Sequence, residues 1–452
     1  MLIRSSFLVA AILALCFLCH PLLAQFNSVQ VNVDALGLDI LGDAANEPSI
    51  AVDPTNPNRM AIGWRQFDTI SSNFRQAGVA YTTDGGQTWT ASTLDPGQFR
   101  SDPVLDFDSQ GNFYYSSLSS VTSVEMFKST DGGQTWSNPV VAHGGDKQWI
   151  AIDRTNGIGA GNIYQHWNVQ FTCCPNTNFT RSTNGGASFE TSIAGPQPFM
   201  KWGGMEVGAN GTLYMVGSAL NTGSGHLFSK SENAKDASQT PTFSAAQSID
   251  LGGTTSFGGV NPSGLLGQVN VATDHNNGNI YVMASVNPTG SDPLDVMFIR
   301  SEDDGDTWSA PIRINNDAIG GDSYQWFGTM SVAPNGRIDA IWLDTRNDGT
   351  DGTSQLFYAY SKDFGENWLG NIPVSIAFDQ SLGYPSQNKL GDYFDMVSDN
   401  EGVNIAYAAT FTGGQDVYFL RINSIPEPGS LSFLTSLTLA GLFVRRRKYR
   451  GR

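Results

Sequence analysis

One eight-residue pattern recurs along the chain and constrains its fold more than any other feature. It consists of Ser or Thr, any residue, Asp, any residue, Gly, any residue, Thr or Asn, and Trp. Good copies begin at Thr82, Ser129, Ser301 and Ser361, and a relaxed copy at Ser182 has Asn for Asp and Phe for Trp. Self-similarity at intervals of tens of residues is typical of a repeat architecture, in which each unit packs on its neighbours.

The chemistry of the octapeptide is that of a β-hairpin loop. Its Asp carboxylate can accept hydrogen bonds from backbone N–H groups of its own turn. Its Gly adopts backbone angles that a side chain would forbid, and its Trp buries a large apolar surface as the next strand starts. We therefore interpret the following positions as structural: Asp84, Trp89, Asp131, Trp136, Asn184, Asp303, Trp308, Asp363 and Trp368.

The octapeptide resembles the Asp-box of sialidase-like β-propellers, a repeat that lies on the face opposite the catalytic site in enzymes that have it. A second repeat, an apolar strand, a turn and another apolar strand, occurs seven times between the octapeptides. Its copies span 49–64, 104–115, 149–164, 205–215, 269–282, 330–342 and 396–407. We predict an all-β, seven-bladed propeller; six blades, as in true sialidases, is the alternative.

The last blade lacks an outer strand in the sequence that follows it. The final hairpin is followed by one more apolar segment, Val417 to Ile422, before the composition changes. Near the other end of the chain, Val29, Val31 and Val33 alternate with polar residues, as in a half-buried strand. We predict that this N-terminal strand closes the ring, which would remove exposed sheet edges.

Charge and composition limit the partners. The formal net charge of −17 argues against nucleic acid or an anionic membrane surface. An acidic chain leaves room for structural Ca²⁺, although no Asp-rich loop has a strong calcium spacing. The five His residues show no metal-binding spacing, so no cofactor is assigned. We expect a monomer.

Both ends of the chain resemble targeting segments, so we assign the propeller to residues 26–424. Residues 1–25 have Arg4, an apolar run and Ala24, as in a secretory signal. Residues 425–452 contain Pro-Glu-Pro, a short apolar stretch and a basic cluster. This layout resembles the PEP-CTERM sorting signal, which implies processing by signal peptidase and an exosortase. The implied location is the outer surface or extracellular matrix of a Gram-negative cell, with transient membrane anchoring by the tail.

Functional side chains of a propeller gather around its central channel, where the inner strands begin and the second strands end. Aromatic faces beside hydrogen-bonding charges suit a sugar ring, so we expect a glycan or exopolysaccharide ligand. The alternative is that the tryptophans plug the channel or pack between blades. The candidate binding residues are Arg65, Arg100, Arg346, Trp149, His166, Trp202, Trp326, Asp344, Lys389 and Asp392.

The sialidase resemblance also implies catalytic roles. A sialidase holds a carboxylate with three arginines and uses a Tyr nucleophile activated by Glu, with an Asp acid/base. The candidates are Arg65, Arg100 and Arg346 for the clamp. Tyr393 is the candidate nucleophile, Asp102 the acid/base, and Glu47 the third catalytic residue.

The Arg-Ile-Pro motif of sialidases is absent, and the nearest match is Trp64-Arg65-Gln66-Phe67. Two functions therefore stay open: an exo-sialidase-type glycoside hydrolase, or a non-catalytic propeller that binds polysaccharide or protein in the matrix. A catalytic site requires convergent carboxylates, or a Tyr–Glu pair with an acid, in one pocket. A scaffold would have a channel filled by Trp and Gln.

The adjacent pair Cys173-Cys174 is a separate feature. In an exported protein oxidation is expected, and neighbouring cysteines that oxidise together form a ring within one loop. We interpret the pair as a vicinal disulfide that forms a rigid wall near the channel mouth, beside His166 and Trp167. Two free thiols, or a link to another chain, are the alternatives.

Overall fold

The structure is a computed structural model that describes residues 26–220, 225–348 and 352–423. All regular secondary structure in these ranges is β-strand. Among the described residues, no helix has the length and apolarity needed to cross a membrane. The predicted signal segment 1–25 and sorting tail 425–452 lie outside the described residues.

Seven antiparallel sheets form the blades. The first strand, β1 (Val29–Gln30), belongs to the last blade. Blade 1 comprises β2 (Ala44–Val52), β3 (Met60–Phe67), β4 (Gln76–Thr82) and β5 (Thr90–Leu94). Blade 2 comprises β6 (Ser101–Phe107), β7 (Phe113–Ser120), β8 (Ser123–Ser129) and β9 (Val140–Val141). Blade 3 comprises β10 (Trp149–Ile152), β11 (Ile163–His166) and β12 (Phe179–Ser182). Blade 4 comprises β13 (Met200–Lys201), β14 (Met205–Val207), β15 (Leu213–Ala219), β16 (His226–Ser231) and β17 (Gln247–Ile249).

The second half of the ring repeats this arrangement. Blade 5 comprises β18 (Gly253–Thr254), β21 (Asn270–Thr273), β22 (Ile280–Pro288), β23 (Asp295–Ser301) and β24 (Ile312–Arg313). A separate hairpin of β19 (Phe257–Gly258) and β20 (Asn261–Leu265) is inserted between its first two strands. Blade 6 comprises β25 (Gln325–Val332), β26 (Ile338–Asp344), β27 (Gln355–Ser361) and β28 (Leu369–Pro373). Blade 7 comprises β29 (Asp395–Ser398), β30 (Gly402–Ala409) and β31 (Asp416–Asn423), together with β1.

The seven predicted hairpins are the inner strand pairs of the seven blades. The pairs are β2–β3, β6–β7, β10–β11, β14–β15, β21–β22, β25–β26 and β29–β30. The prediction of a seven-bladed, sialidase-like propeller is therefore confirmed. The six-bladed alternative is wrong, because each of the seven hairpins belongs to a blade of its own.

The N-terminal strand closes the ring as predicted. β1 pairs antiparallel with β31, with Val29 opposite Phe419. The Val31 amide then donates to the Val417 carbonyl at 2.8 Å. Blade 7 is thus built from both ends of the described chain, and its outer edge is covered.

The octapeptides have the predicted turn geometry. Asp84 Oδ1 accepts from the amides of Gln87 and Thr88, each at 3.0 Å, and from the Thr82 hydroxyl at 2.7 Å. The hydrogen bond that the Thr88 hydroxyl donates to Asp84 Oδ2 is the main cause that lowers the pKa of Asp84 to about 2. The Trp89 indole N–H donates back to the Gly86 carbonyl at 3.2 Å.

The octapeptide tryptophans also join neighbouring blades. Trp89 of blade 1 packs on Phe419 of blade 7, with ring centroids 5.3 Å apart. Trp308 of blade 5 packs on Phe228 of blade 4, with ring centroids 5.1 Å apart. Trp368 of blade 6 packs in the same way on Phe298 of blade 5. Each octapeptide follows the third strand of its blade, so it lies at the opposite end of the sheet from the start of the inner strand. We name this end of the blades the Asp-box face. The opposite end, where each inner strand starts, is the channel mouth, and the candidate functional residues lie there.

Candidate functional site

A backbone irregularity recurs just before or within the start of the inner strand in every blade. The residue at this place has a positive φ, and a β-bulge accompanies it in β2, β6 and β25. In five blades this residue carries a side chain, although positive φ is unfavourable there. The seven positions, with φ in degrees, are Glu47 (51), Asp102 (49), Lys147 (54), Trp202 (57), Gly267 (139), Phe327 (57) and Gly391 (113).

Three of these side chains meet in an ionic network that we name the channel cluster, formed by Glu47, Arg65, Asp102, Lys147, Lys389 and Asp392. The Lys147 ammonium contacts Asp102 Oδ2 at 2.9 Å and Asp392 Oδ2 at 2.6 Å. The Lys389 ammonium contacts Glu47 Oε1 at 3.3 Å and also Asp392. Arg65 Nε lies 3.2 Å from Glu47 Oε2. Three carboxylates and three cations from blades 1, 2, 3 and 7 thus converge.

The channel cluster is buried, which fixes its electrostatics. Glu47 is 0 % exposed, and Asp102 and Asp392 are each 3 % exposed. Buried charges are tolerated only when they are paired, and formally these six cancel. Every carboxylate of the cluster therefore already has a cationic partner.

Burial and the nearby cations shift the pKa values of the three carboxyl groups in different directions. Burial raises the pKa of Glu47, and Arg65, Lys147 and Lys389 only partly oppose this. Burial acts in the same direction on Asp392, but Lys147 and Lys389 hold the pKa of Asp392 well below its ordinary value. The pKa of Asp102 is likewise lowered, because Lys147 and Arg65 outweigh its burial. Glu47 is thus the least acidic of the three carboxyl groups of the channel cluster.

Tyr393 lies beside this cluster, and its hydroxyl forms no hydrogen bond to a carboxylate of the residues that the structure describes. Its hydroxyl donates to the Pro103 carbonyl at 2.8 Å, and its ring meets Trp149 edge-on at 5.5 Å. Burial raises the pKa of Tyr393 well above its ordinary value, and Glu47 and Asp102 add to this effect. These contacts oppose formation of the phenolate that a tyrosine nucleophile needs.

The structure does not assemble the predicted three-arginine clamp. Arg65 forms an ion pair with Glu47, as above, and its Nε donates to Asn46 Oδ1 at 2.8 Å. Arg100 is paired with Glu125 of blade 2 at 2.6 Å and with Asp95 in the loop between blades 1 and 2, and Arg346 is paired with Asp344 at 2.7 Å. The physical reason is local: each guanidinium is neutralised by a carboxylate close to it in the fold.

Three further predicted binding residues are occupied by structural contacts. His166 is 3 % exposed, its ring hydrogen-bonds Asn178 at 2.9 Å, and burial lowers its pKa to about 4. Trp326 is 0 % exposed and packs in the core of blade 6. Asp344 accepts from the Trp342 indole at 2.7 Å as well as from Arg346.

Trp149 and Trp202 remain partly exposed at the channel mouth. Trp149, Phe327 and Tyr393 line a small cavity together with Gln268. Neither the oxygen nor the nitrogen of the buried Gln268 side-chain amide is hydrogen-bonded to a residue that the structure describes. The Lys201 ammonium stands 3.8 Å from the centroid of the Trp202 ring. Aromatic faces and an unused amide therefore adjoin the channel cluster.

Sequence reasoning missed several participants. Phe327 packs against Trp326 with tilted rings and lines the cavity, and Gln387 accepts from Arg65 at 2.9 Å. Lys147 is the centre of the network but is not among the candidate residues that the sequence analysis names. A signal existed for the bulge positions, since Glu47-Pro48 and Asp102-Pro103 occupy equivalent places near the start of successive inner strands.

The structure joins Cys173 and Cys174 in a disulfide. The Cys173 amide donates to the Gly144 carbonyl at 3.0 Å, which ties this loop to the segment before β10. The Trp167 indole donates to Thr172 Oγ1 at 2.7 Å. The disulfide therefore lies on the channel-mouth face of blade 3, beside Trp167.

Comparison with known proteins identifies the repeat. The BNR/Asp-box repeat family model matches residues 80–91, which contain the first octapeptide. No curated protein matches the chain. The match covers one octapeptide and agrees with the interpretation of these loops as structural elements.

Solved structures with the same fold are remote in sequence. A protein of unknown function from Dyadobacter fermentans is 13% identical, with 88% of this chain and 99% of that chain covered and a TM-score of 0.50. A fungal alcohol oxidase of the AA5 family, solved with copper, is 10% identical over 88% of this chain and 76% of that one, with a TM-score of 0.52. Trypanosoma rangeli sialidase in complex with the inhibitor DANA is 13% identical, with 91% of this chain and 59% of that chain covered and a TM-score of 0.42. Similarity at this level describes the fold alone.

Proposed function

We propose that this protein is a glycan-binding propeller of the cell exterior that holds its ligand at the channel mouth. The observation that carries the proposal is the combination of partly exposed Trp149 and Trp202 with the unused amide of Gln268 beside the channel cluster. Sugar rings stack their C–H faces on aromatic rings and need hydrogen-bond donors and acceptors for their hydroxyls. The channel mouth offers both.

Binding is favoured over sialidase catalysis by the state of the predicted catalytic groups. The arginines are paired with separate carboxylates, so no shared clamp receives a sialic acid carboxylate. The Tyr393 hydroxyl is bonded to a backbone carbonyl. The vicinal disulfide at Cys173 adds a rigid apolar wall on the same face.

A glycoside hydrolase is the second candidate, and one observation favours it. Asp102 and Asp392 contact the same lysine, Lys147, while the pKa of Glu47 is raised and those of the two aspartates are lowered. Carboxyl groups whose acidities are pushed apart are the basis of acid/base assignments in such enzymes. In this candidate function Glu47 is the acid, not Asp102, and Tyr393 has no covalent role.

Export to the outer surface or matrix is part of the proposal. It rests on the signal-like segment 1–25 and the PEP-CTERM-like segment 425–452, with signal peptidase and an exosortase as processing partners. β31 ends with Asn423 opposite Gly402, at the Asp-box face. The described residues thus end on the face opposite the channel mouth, which is compatible with a surface-anchored binding protein.

The test is binding of the full chain to an array of bacterial exopolysaccharides and defined glycans. Trp149→Ala and Trp202→Ala are expected to weaken binding by about 10-fold or more, because each removes a stacking face. Trp368→Phe, at the Asp-box face, is the matched control and should bind as the parent does. Absence of binding to every glycan, or equal binding by all three variants, would contradict the proposal.

A further inference from the structure

A second set of ligating side chains lies on the channel-mouth face of blade 3. It consists of His143, Cys173 and Cys174, and one ligand atom from each lies within 4.8 Å of the other two. All three residues are partly exposed. The glycan-binding proposal uses the disulfide only as a wall, so the histidine beside it has no assigned role.

Two loops hold these residues without help from the sulfur atoms. The Asp146 amide donates to the Phe171 carbonyl at 2.9 Å, and the Cys173 amide donates to the Gly144 carbonyl at 3.0 Å. Thr172 Oγ1 accepts from the Cys174 amide at 3.1 Å. Because these are backbone and hydroxyl contacts, we expect the loops to stay in place when the disulfide is opened.

Reduction changes what the site can bind. Two molecules of a thiol reductant transfer two electrons and two protons to the Cys173–Cys174 disulfide, which yields two cysteine thiols and one disulfide of the reductant. When a metal ion binds, the thiols release their protons and become thiolate ligands. Two thiolates and one neutral imidazole are ligands that suit soft cations such as Zn²⁺ and Cu⁺.

We propose that reduction of the Cys173–Cys174 disulfide converts this cluster into a binding site for a thiophilic cation, held by both sulfurs and the His143 ring. Three protein ligands leave the fourth tetrahedral position open to water or another donor. In the oxidised state neither sulfur is a thiolate, and the site does not bind the metal. Metal occupancy thereby depends on the redox state around the protein. The proposal is independent of glycan binding.

The test uses Zn²⁺ as the probe and the full chain with Cys16→Ser, Cys19→Ser and His20→Ala. The first two changes leave Cys173 and Cys174 as the only cysteines of the sequence, and the third removes the histidine next to position 19. The protein is reduced with a phosphine, and Zn²⁺ affinity is measured by competition with a chromogenic chelator. We expect one equivalent to bind to reduced protein, and at least about 100-fold weaker binding to oxidised protein. Co²⁺ in place of Zn²⁺ should show thiolate-to-metal charge-transfer absorption.

Variants identify the ligands. His143→Ala should weaken Zn²⁺ binding by at least about 10-fold, the loss seen even when only an outer hydrogen-bond partner of a ligand is removed. Cys173→Ser and Cys174→Ser should each do the same. His275→Ala, an exposed histidine of blade 5, is the matched control and should leave the affinity unchanged.

Three results would overturn the proposal. The first is a reduced protein that binds no Zn²⁺, and the second is a His143→Ala variant that binds as tightly as the parent. The third is loss of the near-UV circular dichroism of the native state on reduction, since the site requires that the loops persist without the disulfide.

Discussion

Positive φ values at the inner-strand starts are the feature that builds the site at the scale of single residues. Glu47, Asp102 and Lys147 each occupy this conformation in successive blades, and their side chains meet in the channel cluster. The left-handed backbone conformation costs a residue with a side chain about 1–2 kcal/mol of conformational energy. Such positions are therefore expected where the side chain has a specific role. The strain and the ionic contacts point to the same place in the molecule.

The acid/base assignment gives a prediction at this scale. If the channel cluster hydrolyses a glycoside, Glu47→Gln lowers kcat by about 100-fold or more, because it removes the proton donor. Tyr393→Phe leaves kcat within a few fold of the parent, since the hydroxyl only bonds a backbone carbonyl. The measurement is turnover of a panel of fluorogenic glycosides that includes a sialoside.

Each variant serves as the control for the other, because the Glu47 and Tyr393 side chains are both buried at the channel mouth. Loss of activity in Tyr393→Phe with activity retained in Glu47→Gln would reverse the assignment and restore the sialidase-type nucleophile. Equal activity in both variants would place the chemistry outside the channel cluster.

The octapeptide is the unit that matters at the scale of elements. Its Asp closes the loop after the third strand, and its Trp packs on the preceding blade. In blade 4 the same function persists in a degenerate form, where Asn233 accepts from the Thr242 amide at 2.8 Å. The element thus tolerates changes of residue as long as an acceptor remains in the turn.

The acceptor role predicts the cost of its removal. Asp363 accepts from the Asn367 amide at 3.0 Å and from the Ser361 hydroxyl at 2.8 Å. Asp363→Ala is therefore expected to lower the free energy of unfolding by about 2 kcal/mol. Glu366→Ala, in a variable position of the same octapeptide, should change this free energy by less than about 1 kcal/mol, because the ion pair of Glu366 with Arg300 is at the surface. Urea unfolding of both variants tests this, and equal effects would contradict the structural role of Asp363.

At the scale of the whole molecule, stability depends on the seam between blade 7 and blade 1. β1 covers the outer edge of blade 7, and Asp395 of blade 7 binds the inner strand of blade 1. Asp395 Oδ2 accepts from the Ser49 hydroxyl at 2.6 Å and from the Ile50 amide at 3.0 Å. The ring is thus held at its closing point by backbone pairing outside and by one carboxyl group inside.

This seam predicts a pH dependence of stability. Burial raises the pKa of Asp395 from 3.8 to about 7. Between these values the folded state binds the proton more tightly than the unfolded state, so the free energy of unfolding falls as pH rises from about 4 to about 7. Asp395→Asn should make this slope shallower, as measured by urea unfolding at a series of pH values. Asp322→Asn, at an exposed loop position, should keep the slope of the parent, and an unchanged slope in Asp395→Asn would contradict the assignment.

The sequence by itself determined the architecture of this protein. The octapeptides, the seven hairpins and the alternating valines at 29, 31 and 33 are local patterns, and a repeat needs only its neighbours to form a ring. Turn chemistry and strand periodicity are encoded within a few residues, which is why the blade count and the closing strand were predicted. The same reasoning selected Glu47, Asp102, Lys389 and Asp392 as candidates, and the structure brings these four side chains into the channel cluster.

Only the tertiary structure decided which of those residues meet and in what state. Lys147 is the partner of residues 45 and 245 positions away in the chain, and no local pattern encodes such a contact. The pairing of Arg100 and Arg346 with their own carboxylates, and the raised pKa of Tyr393, follow from burial and distance in the assembled ring. Electrostatic energies depend on separation and solvent exposure rather than on residue type. The chemistry of the channel is therefore a property of the closed propeller.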